Sequence, residues 1–177
     1  MIVSDEQREE NFQEYLRLLH DPNYVDVTFD QESGGVSAVH KEHQFDKSIG
    51  PFGSKRGLYE IDAARVLRQS GHSIILEAEL SSGVVVSKSF DGFLDGISVE
   101  IKAIESVGRW AVRTKITKAH SQGAQIVVLY FPDETLYSKS RVEQGWIDFI
   151  SSQAEYYDMR LLCIVGNTED EIEKPSW

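Results

Sequence analysis

A single cysteine, Cys163, stands in a chain of 177 residues, which rules out a disulfide framework and leaves a reducing compartment acceptable. It lies in the apolar run Leu161-Leu162-Cys163-Ile164-Val165, a setting expected of a buried strand residue. Long apolar runs are missing as well. None approaches the roughly 18 residues of a spanning helix, and the acidic N-terminus does not read as a secretory signal, so a soluble, cytoplasmic chain without a membrane role is expected. Positive charge is scarce: 18 Lys and Arg stand against 29 Asp and Glu, for a formal net charge of -11. That balance argues against an extended surface that coats nucleic acid by displacing phosphate counterions. No internal repeat or low-complexity tract is visible. With 41% hydrophobic and 27% charged residues, the composition fits one compact domain with a core of useful size.

The chain opens with Ser4-Asp5-Glu6-Gln7, a capping residue followed by acidic side chains at the positive end of a helix dipole. Phe12, Tyr15, Leu16 and Leu19 are its expected apolar stripe, and Asp21-Pro22-Asn23 ends it. Tyr24 to Phe29 and Val36 to His40 read as a hairpin outside the main core. His40-Lys41-Glu42-His43 could bind a metal if both rings converged. Three residues apart on a strand or loop they point to opposite faces, and no nearby cysteine completes a zinc set. Gln44 to Gly57 reads as a loop whose Lys55 and Arg56 could touch phosphate. A helix from Leu58 to Ser70 follows, with Leu58, Ile61, Ala64 and Leu67 on one side, Glu60 in its first turn and Gly71 as a left-handed cap. The strand Ser73 to Leu80, a turn at Ser81-Ser82-Gly83 and a strand at Val84 to Val86 come next.

Ser89 to Ala103 reads as two short strands joined by Asp95-Gly96, a pair suited to a type I′ turn because both positions need φ > 0. The register then sets Leu94 opposite Ile97, Phe93 opposite Ser98, Gly92 opposite Val99 and Asp91 opposite Glu100. Ile97, Val99, Ile101 and Ala103 point one way, while Ser98, Glu100 and Lys102 point the other way with Asp91. Two facing carboxylates repel on a strand pair. A divalent cation such as Mg²⁺, which takes oxygen ligands, would reverse that sign, and Lys102 could orient water or stabilise charge on a phosphate. On spacing alone, a solvent-facing hairpin whose Lys102 neutralises Glu100 explains the same residues.

Beyond the hairpin, Arg109 to Gln122 reads as a helix with Trp110, Val112, Ile116 and Ala119 inward and Arg113, Lys115 and Lys118 outward. From Val99 to His120 five basic residues stand against two acidic ones, a local basic patch that could hold a phosphate backbone on an otherwise acidic protein; a solvated helix face is the plainer explanation. A buried strand at Gln125 to Phe131, a helix from about Ser140 to Tyr157 and a strand at Leu161 to Val165 complete the pattern. An acidic tail from Asn167 onward is expected to be loosely held.

This order of elements, with Asp91 on one hairpin strand and Glu100-Ile101-Lys102 on the next, resembles the PD-(D/E)xK nuclease superfamily. Phe90 stands where that family's proline would be. The resemblance covers Leu58 to Phe131 and looks closest to the C-terminal tRNase and nuclease modules of contact-dependent-inhibition and other polymorphic toxins, which also occur on prophage proteins. It implies an α/β, restriction-endonuclease-like mixed sheet with an α-β-β-β-α-β core flanked by helices. Residues 58–165 would hold the nuclease core with a further helix and strand, residues 1–57 an N-terminal helix and hairpin extension, and residues 166–177 the acidic tail. It also implies catalysis by Asp91, Glu100, Lys102 and Glu60, with Mg²⁺ or another divalent cation held by Asp91, Glu100 and Glu60. Arg113, Lys115, Lys118 and Gln122 would contact a nucleic acid, RNA rather than DNA, and a cognate immunity protein would be a partner. Two other readings stay open: a metal-independent RNase of the barnase, EndoU, colicin or RelE kind, using His40, His43, His72 or His120 for acid–base work, and a non-catalytic phage or mobile-element module.

Overall fold

The computed structural model describes residues 3–78, 90–153 and 158–174. Its elements run α1 (Asp5–Leu19), β1 (Tyr24–Phe29), β2 (Val36–His40), α2 (Gly57–Gln69), β3 (Ser73–Leu76), β4 (Gly92–Leu94), β5 (Ile97–Ala103), α3 (Ala111–Ser121), β6 (Ile126–Phe131), α4 (Lys139–Ser151), β7 (Arg160–Val165) and β8 (Thr168–Ile172). The eight strands form one mixed sheet in which spatial order follows sequence order. Pairs joined across a helix (β2–β3, β5–β6 and β6–β7) are parallel, and the others are antiparallel; each parallel pair has the long crossover that parallel strands need. The protein is therefore mixed α/β.

Period-two alternation sorts the strands onto two faces. Ile74, Leu76, Leu94, Val99, Ile101, Ile126, Val128, Leu162 and Ile164 form one core with Ala63, Ala64, Val66 and Leu67 of α2. Val127, Leu129, Phe131, Leu161 and Cys163 form another with Val112, Ile116 and Ala119 of α3 and Val142, Trp146 and Phe149 of α4. Cys163 is fully buried. Helix α1 covers the β1–β2 end, where Leu18, Ala38 and Ile75 cluster. Buried Asn11 anchors it by donating to the carbonyls of Gly34 and Gly71 at 2.9 and 3.0 Å, which satisfies two turns at once.

The expected hairpin turn is present: Asp95 and Gly96 have φ of 50° and 81°, and the pairs Leu94–Ile97, Phe93–Ser98 and Gly92–Val99 form as read. Several other expectations are corrected. The β1–β2 hairpin is not outside the core, because β2 continues the sheet against β3. Part of the acidic tail is strand β8, paired along its length with β7 and carrying Ile172 into the core. On α2, Leu58 and Ile61 are exposed and Tyr59, Ala63, Val66 and Leu67 are buried; the face with small residues is the one that can approach the sheet closely. Leu19 is exposed while Leu18 takes the core position on α1. Trp110 precedes the first turn of α3 and leaves its apolar stripe, with 46% of its surface exposed. Of the strand read as Ser73 to Leu80, Ser73–Leu76 form β3, Glu77 and Ala78 lie beyond it, and Glu79 and Leu80 fall outside the described residues. The Ser81-Ser82-Gly83 turn, the Val84 to Val86 strand and the end of the helix read to Tyr157 lie outside the described residues.

Two contacts fix the hairpin against its neighbours. Gly92 lies so close to β3 that a Cβ there would sit 1.9 Å from the Ile75 carbonyl oxygen. At the opposite end of the hairpin, His72 Nδ1 meets Asp95 Oδ2 at 2.6 Å and Nε2 meets Glu169 at 2.8 Å, joining the turn to β8. Burial disfavours the His72 imidazolium, but the hydrogen bonds and negative charge of Asp95 and Glu169 outweigh it and raise its pKa from 6.5 to about 9.

Gly92→Ala is expected to lower stability by about 1–3 kcal/mol or more, read as a lower urea midpoint, because rigid backbone cannot yield to the added methyl. The His72 contribution has a definite sign. A folded pKa above the unfolded one stabilises fully below about pH 6.5 and loses that stabilisation as pH rises through about 9. The melting temperature should fall over that window in the native protein, and His72→Gln should flatten the fall.

Candidate active site

The type I′ turn and the Gly92 approach bring Asp91 to the mouth of the hairpin, where the strands begin to part. Its backbone still belongs to the sheet, since the Asp91 carbonyl accepts from the Glu77 amide at 2.9 Å. Its side chain replaces a ladder contact: Asp91 Oδ2 accepts from the Ile101 amide at 2.8 Å, and the Asp91 amide donates to Glu100 Oε2 at 2.9 Å. Lys102 Nζ donates to Glu100 Oε1 at 2.7 Å, with 12% and 5% of the two side chains exposed. The solvent-facing hairpin is thereby excluded: this ion pair is buried in the wall of a cleft of about 600 Å³.

Helix α2 brings Glu60 to the same place from the other side of the sheet edge. The segment after β2 brings His43, whose ring is 3% exposed. Its Nδ1 lies 2.6 Å from the Glu77 carbonyl and its Nε2 lies 2.9 Å from Glu60 Oε1. A carbonyl only accepts, so Nδ1 carries a proton and Nε2 is the atom turned toward the carboxylates. Ligand atoms of His43, Glu60 and Asp91 all lie within 4.8 Å of one another.

The electrostatics of this corner are unfavourable to full ionisation. Burial, followed by the nearby charges of Glu100 and Glu60, pushes the Asp91 carboxyl well above its ordinary 3.8. Burial also raises Glu100, against the opposing pull of Lys102. Burial opposes the His43 imidazolium, yet the hydrogen bonds to Glu60 and the Glu77 carbonyl raise its pKa overall. A divalent cation would relieve the crowded negative charge, and the donor chemistry fits one. Two carboxylates and an imidazole held through its other nitrogen by a backbone carbonyl are a ligand set with its outer support in place. The imidazole suits a transition ion better than Mg²⁺, which favours oxygen donors, while the two carboxylates also suit Mn²⁺.

Cations line the rest of the cleft. Lys115 and Lys118 of α3 join Lys102 there, with Gln122 at the end of the helix. The Lys115 ammonium is shifted below 10.5 by burial and by the neighbouring Lys102 charge. Arg56 also reaches the cleft but is tied to Glu105 at 3.0 Å. Buried Tyr59 contributes to the wall, and its hydroxyl has no hydrogen-bond partner among the described residues.

Of the residues singled out in the sequence, Asp91, Glu100, Lys102, Glu60, Lys115, Lys118 and Gln122 converge on this cleft. Arg113 does not. It packs against Trp110 in an adjacent groove, because a position two residues from Lys115 is roughly 200° around the helix, on a different face from Lys115, Lys118 and Gln122. The three-ligand cluster contains His43 where the sequence reading has Glu100, whose oxygens are occupied by Lys102 and the Asp91 amide. Histidine pairing hid this role: His43 completes a set with Glu60 and Asp91 and needs no contribution from His40. Among the described residues, His43 is the histidine that lines the cleft; His72 and His40 are engaged elsewhere. Comparison with family models, with curated proteins and with solved structures gives no significant match for this chain.

Mn²⁺ titration of the purified protein should therefore show a site that His43→Ala weakens by at least about tenfold, since loss of even an outer-shell partner typically costs 10- to 100-fold. His40→Ala should leave the affinity within about twofold of the native value. Equal losses in the two variants would remove His43 from the ligand set.

Proposed function

We propose that the protein is a metal-dependent nuclease that hydrolyses phosphodiester bonds. The observation that carries this reading is the convergence of His43, Glu60 and Asp91 within 4.8 Å on a cleft also lined by Lys102, Lys115 and Lys118. The order α2-β3-β4-β5-α3-β6, with Asp91 immediately before β4 and the Glu100-x-Lys102 element on β5, supports a PD-(D/E)xK-like core. A divalent ion in this set would polarise a phosphoryl oxygen and acidify a bound water.

The chain's own residues supply the remaining work. His43, held through Nδ1 by the Glu77 carbonyl, presents Nε2 beside Glu60 and Asp91. Glu100 keeps the Asp91 amide and the Lys102 ammonium in place. Lys102 orients the attacking water or stabilises charge that develops on the phosphate, which rewards a fixed cation in a partly dry site. Lys115 and Lys118 hold the flanking phosphates, and Gln122 offers a neutral donor at the same wall.

The hydrogen-bonded His43–Glu60 pair favours one second reading, a metal-independent RNase with His43 as the acid–base group. Incubation with tRNA, other RNA and DNA, with divalent ions or with EDTA, separates the two. Cleavage that stops in EDTA supports the metal-dependent reading, cleavage that persists supports His43 acid–base chemistry, and absence of cleavage on every substrate favours a binding module.

Asp91→Asn should reduce metal-dependent cleavage at least about a hundredfold, the order expected when several kcal/mol of transition-state stabilisation are lost. It should not lower stability, because burial already disfavours the charged form of Asp91 and Asn retains an acceptor for the Ile101 amide. Glu100→Gln is a poorer test, since it would strand the buried Lys102 ammonium. Lys102→Arg keeps the charge but not the compact ammonium geometry. It should bind Mn²⁺ like the native protein and lose most cleavage; native cleavage rates would exclude the role assigned to Lys102.

A further inference from the structure

Beside the cleft lies a second groove of about 620 Å³, lined by Trp110, Arg113, Thr114, Thr117, Lys118 and Ser121. Trp110 is 46% exposed, although it is one of three tryptophans in the chain and precedes a helix whose apolar side is otherwise buried. The guanidinium carbons of Arg109 and Arg113 lie 4.4 and 5.3 Å from its ring centroid. The lining residues include no carboxylate, in a chain whose net charge is -11. The first turn of α3, like that of α4, lacks acidic residues, so no carboxylate there offsets the guanidiniums. Two guanidiniums at the positive end of a helix dipole are locally unfavourable, an arrangement that an anionic ligand would relieve. Lys118 lines both the groove and the cleft, so one strand could occupy them in succession.

We propose that this groove binds the single-stranded continuation of the nucleic-acid substrate, with an unpaired base stacked on Trp110 or on the guanidinium plane beside it. Arg109 and Arg113 contact the phosphates on either side, and Lys118 holds the phosphate that leads into the cleft. Every base has a π face, so stacking of this kind tolerates many sequences. It also requires the base to be free of its duplex partner. The groove thus selects strand state rather than base identity. This rests on the nuclease reading for the identity of the substrate, but the groove's own binding does not require catalysis.

The test is fluorescence anisotropy in EDTA, with labelled RNA and DNA single strands of about 12 nucleotides and the corresponding duplexes as probes. Trp110→Ala should weaken single-strand binding by about five- to a hundredfold, the range that loss of one stacked base implies. Trp110→Phe should retain most of the affinity, and duplex binding should change by less than about twofold. Arg113→Gln should lower single-strand affinity and reduce the salt slope by about one phosphate contact. Native-like binding by Trp110→Ala, or an equal loss for duplex and single strand, overturns the proposal. A preference for the RNA or the DNA strand, with the Trp110 dependence intact, supports it and names the substrate. Hydrolysis of bis(p-nitrophenyl) phosphate by the native protein with Mn²⁺ tests the nuclease reading separately. Trp110-dependent binding without that hydrolysis upholds the groove and overturns the nuclease, and hydrolysis without Trp110 dependence does the reverse.

Discussion

Two backbone amides, those of Asp91 and Ile101, are satisfied by carboxylates rather than by an opposing strand, and the cleft depends on that exchange. Where β4 and β5 separate, an ordinary sheet would leave edge amides to water. Here Asp91 and Glu100 take the place of the missing ladder and are positioned by the same bonds. Gly92 makes this possible by allowing β4 to lie directly against the Ile75 carbonyl. The Asp95-Gly96 turn sets the register that makes the two carboxylates neighbours. Backbone satisfaction and site geometry are consequently one structural feature.

That feature concentrates negative charge in a poorly solvated corner. Glu60 and His43 join it from α2 and from the segment after β2, and burial with the nearby charges of Glu100 and Glu60 disfavours the ionised form of Asp91, a cost that a cation would offset. Lys102 compensates Glu100 directly, while Lys115 and Lys118 stand farther along the wall. The His43–Glu60–Asp91 cluster and the lysines of α3 thus occupy separate parts of one cleft, the separation that the proposed nuclease reading requires of a metal ion and a phosphate. The overall acidity of the chain does not conflict with this, since five basic residues, Lys102, Arg109, Arg113, Lys115 and Lys118, stand together on α3 and beside it and the field near a concave site is set by its nearest charges.

Local chemistry was legible in the residues. The Asp-Gly turn, the alternation along β5, the Ser4 cap and the left-handed Gly71 all follow from preferences that act over two to four residues, and the structure reproduces each of them. Asp91, Glu100 and Lys102 were legible for the same reason, because period-two alternation decides which side chains share a face, and Lys115 and Lys118 followed from an outward helix face that also took in Arg113; Glu60 and Gln122 came in only through the resemblance to the nuclease family. The phase of α2 was not, since apolar residues lie on more than one side and only docking selects the face with Ala63 and Ala64. The position of Trp110 depended on where α3 begins, a boundary that periodicity leaves open by a residue or two.

The sequence by itself determined the mixed α/β character, the hairpin register and the placement of Asp91 beside Glu100 and Lys102, because each depends on turn chemistry or short-range alternation. Only the tertiary structure decided that β1–β2 and β8 extend a single sheet, that His43 joins Glu60 and Asp91, and that Arg113 belongs to a neighbouring groove with Trp110. Those outcomes depend on which elements pack together across the chain. Pairing of β2 with β3 and of β8 with β7 and the docking of α2 against the sheet bring distant residues within hydrogen-bonding distance, and no local preference encodes that proximity.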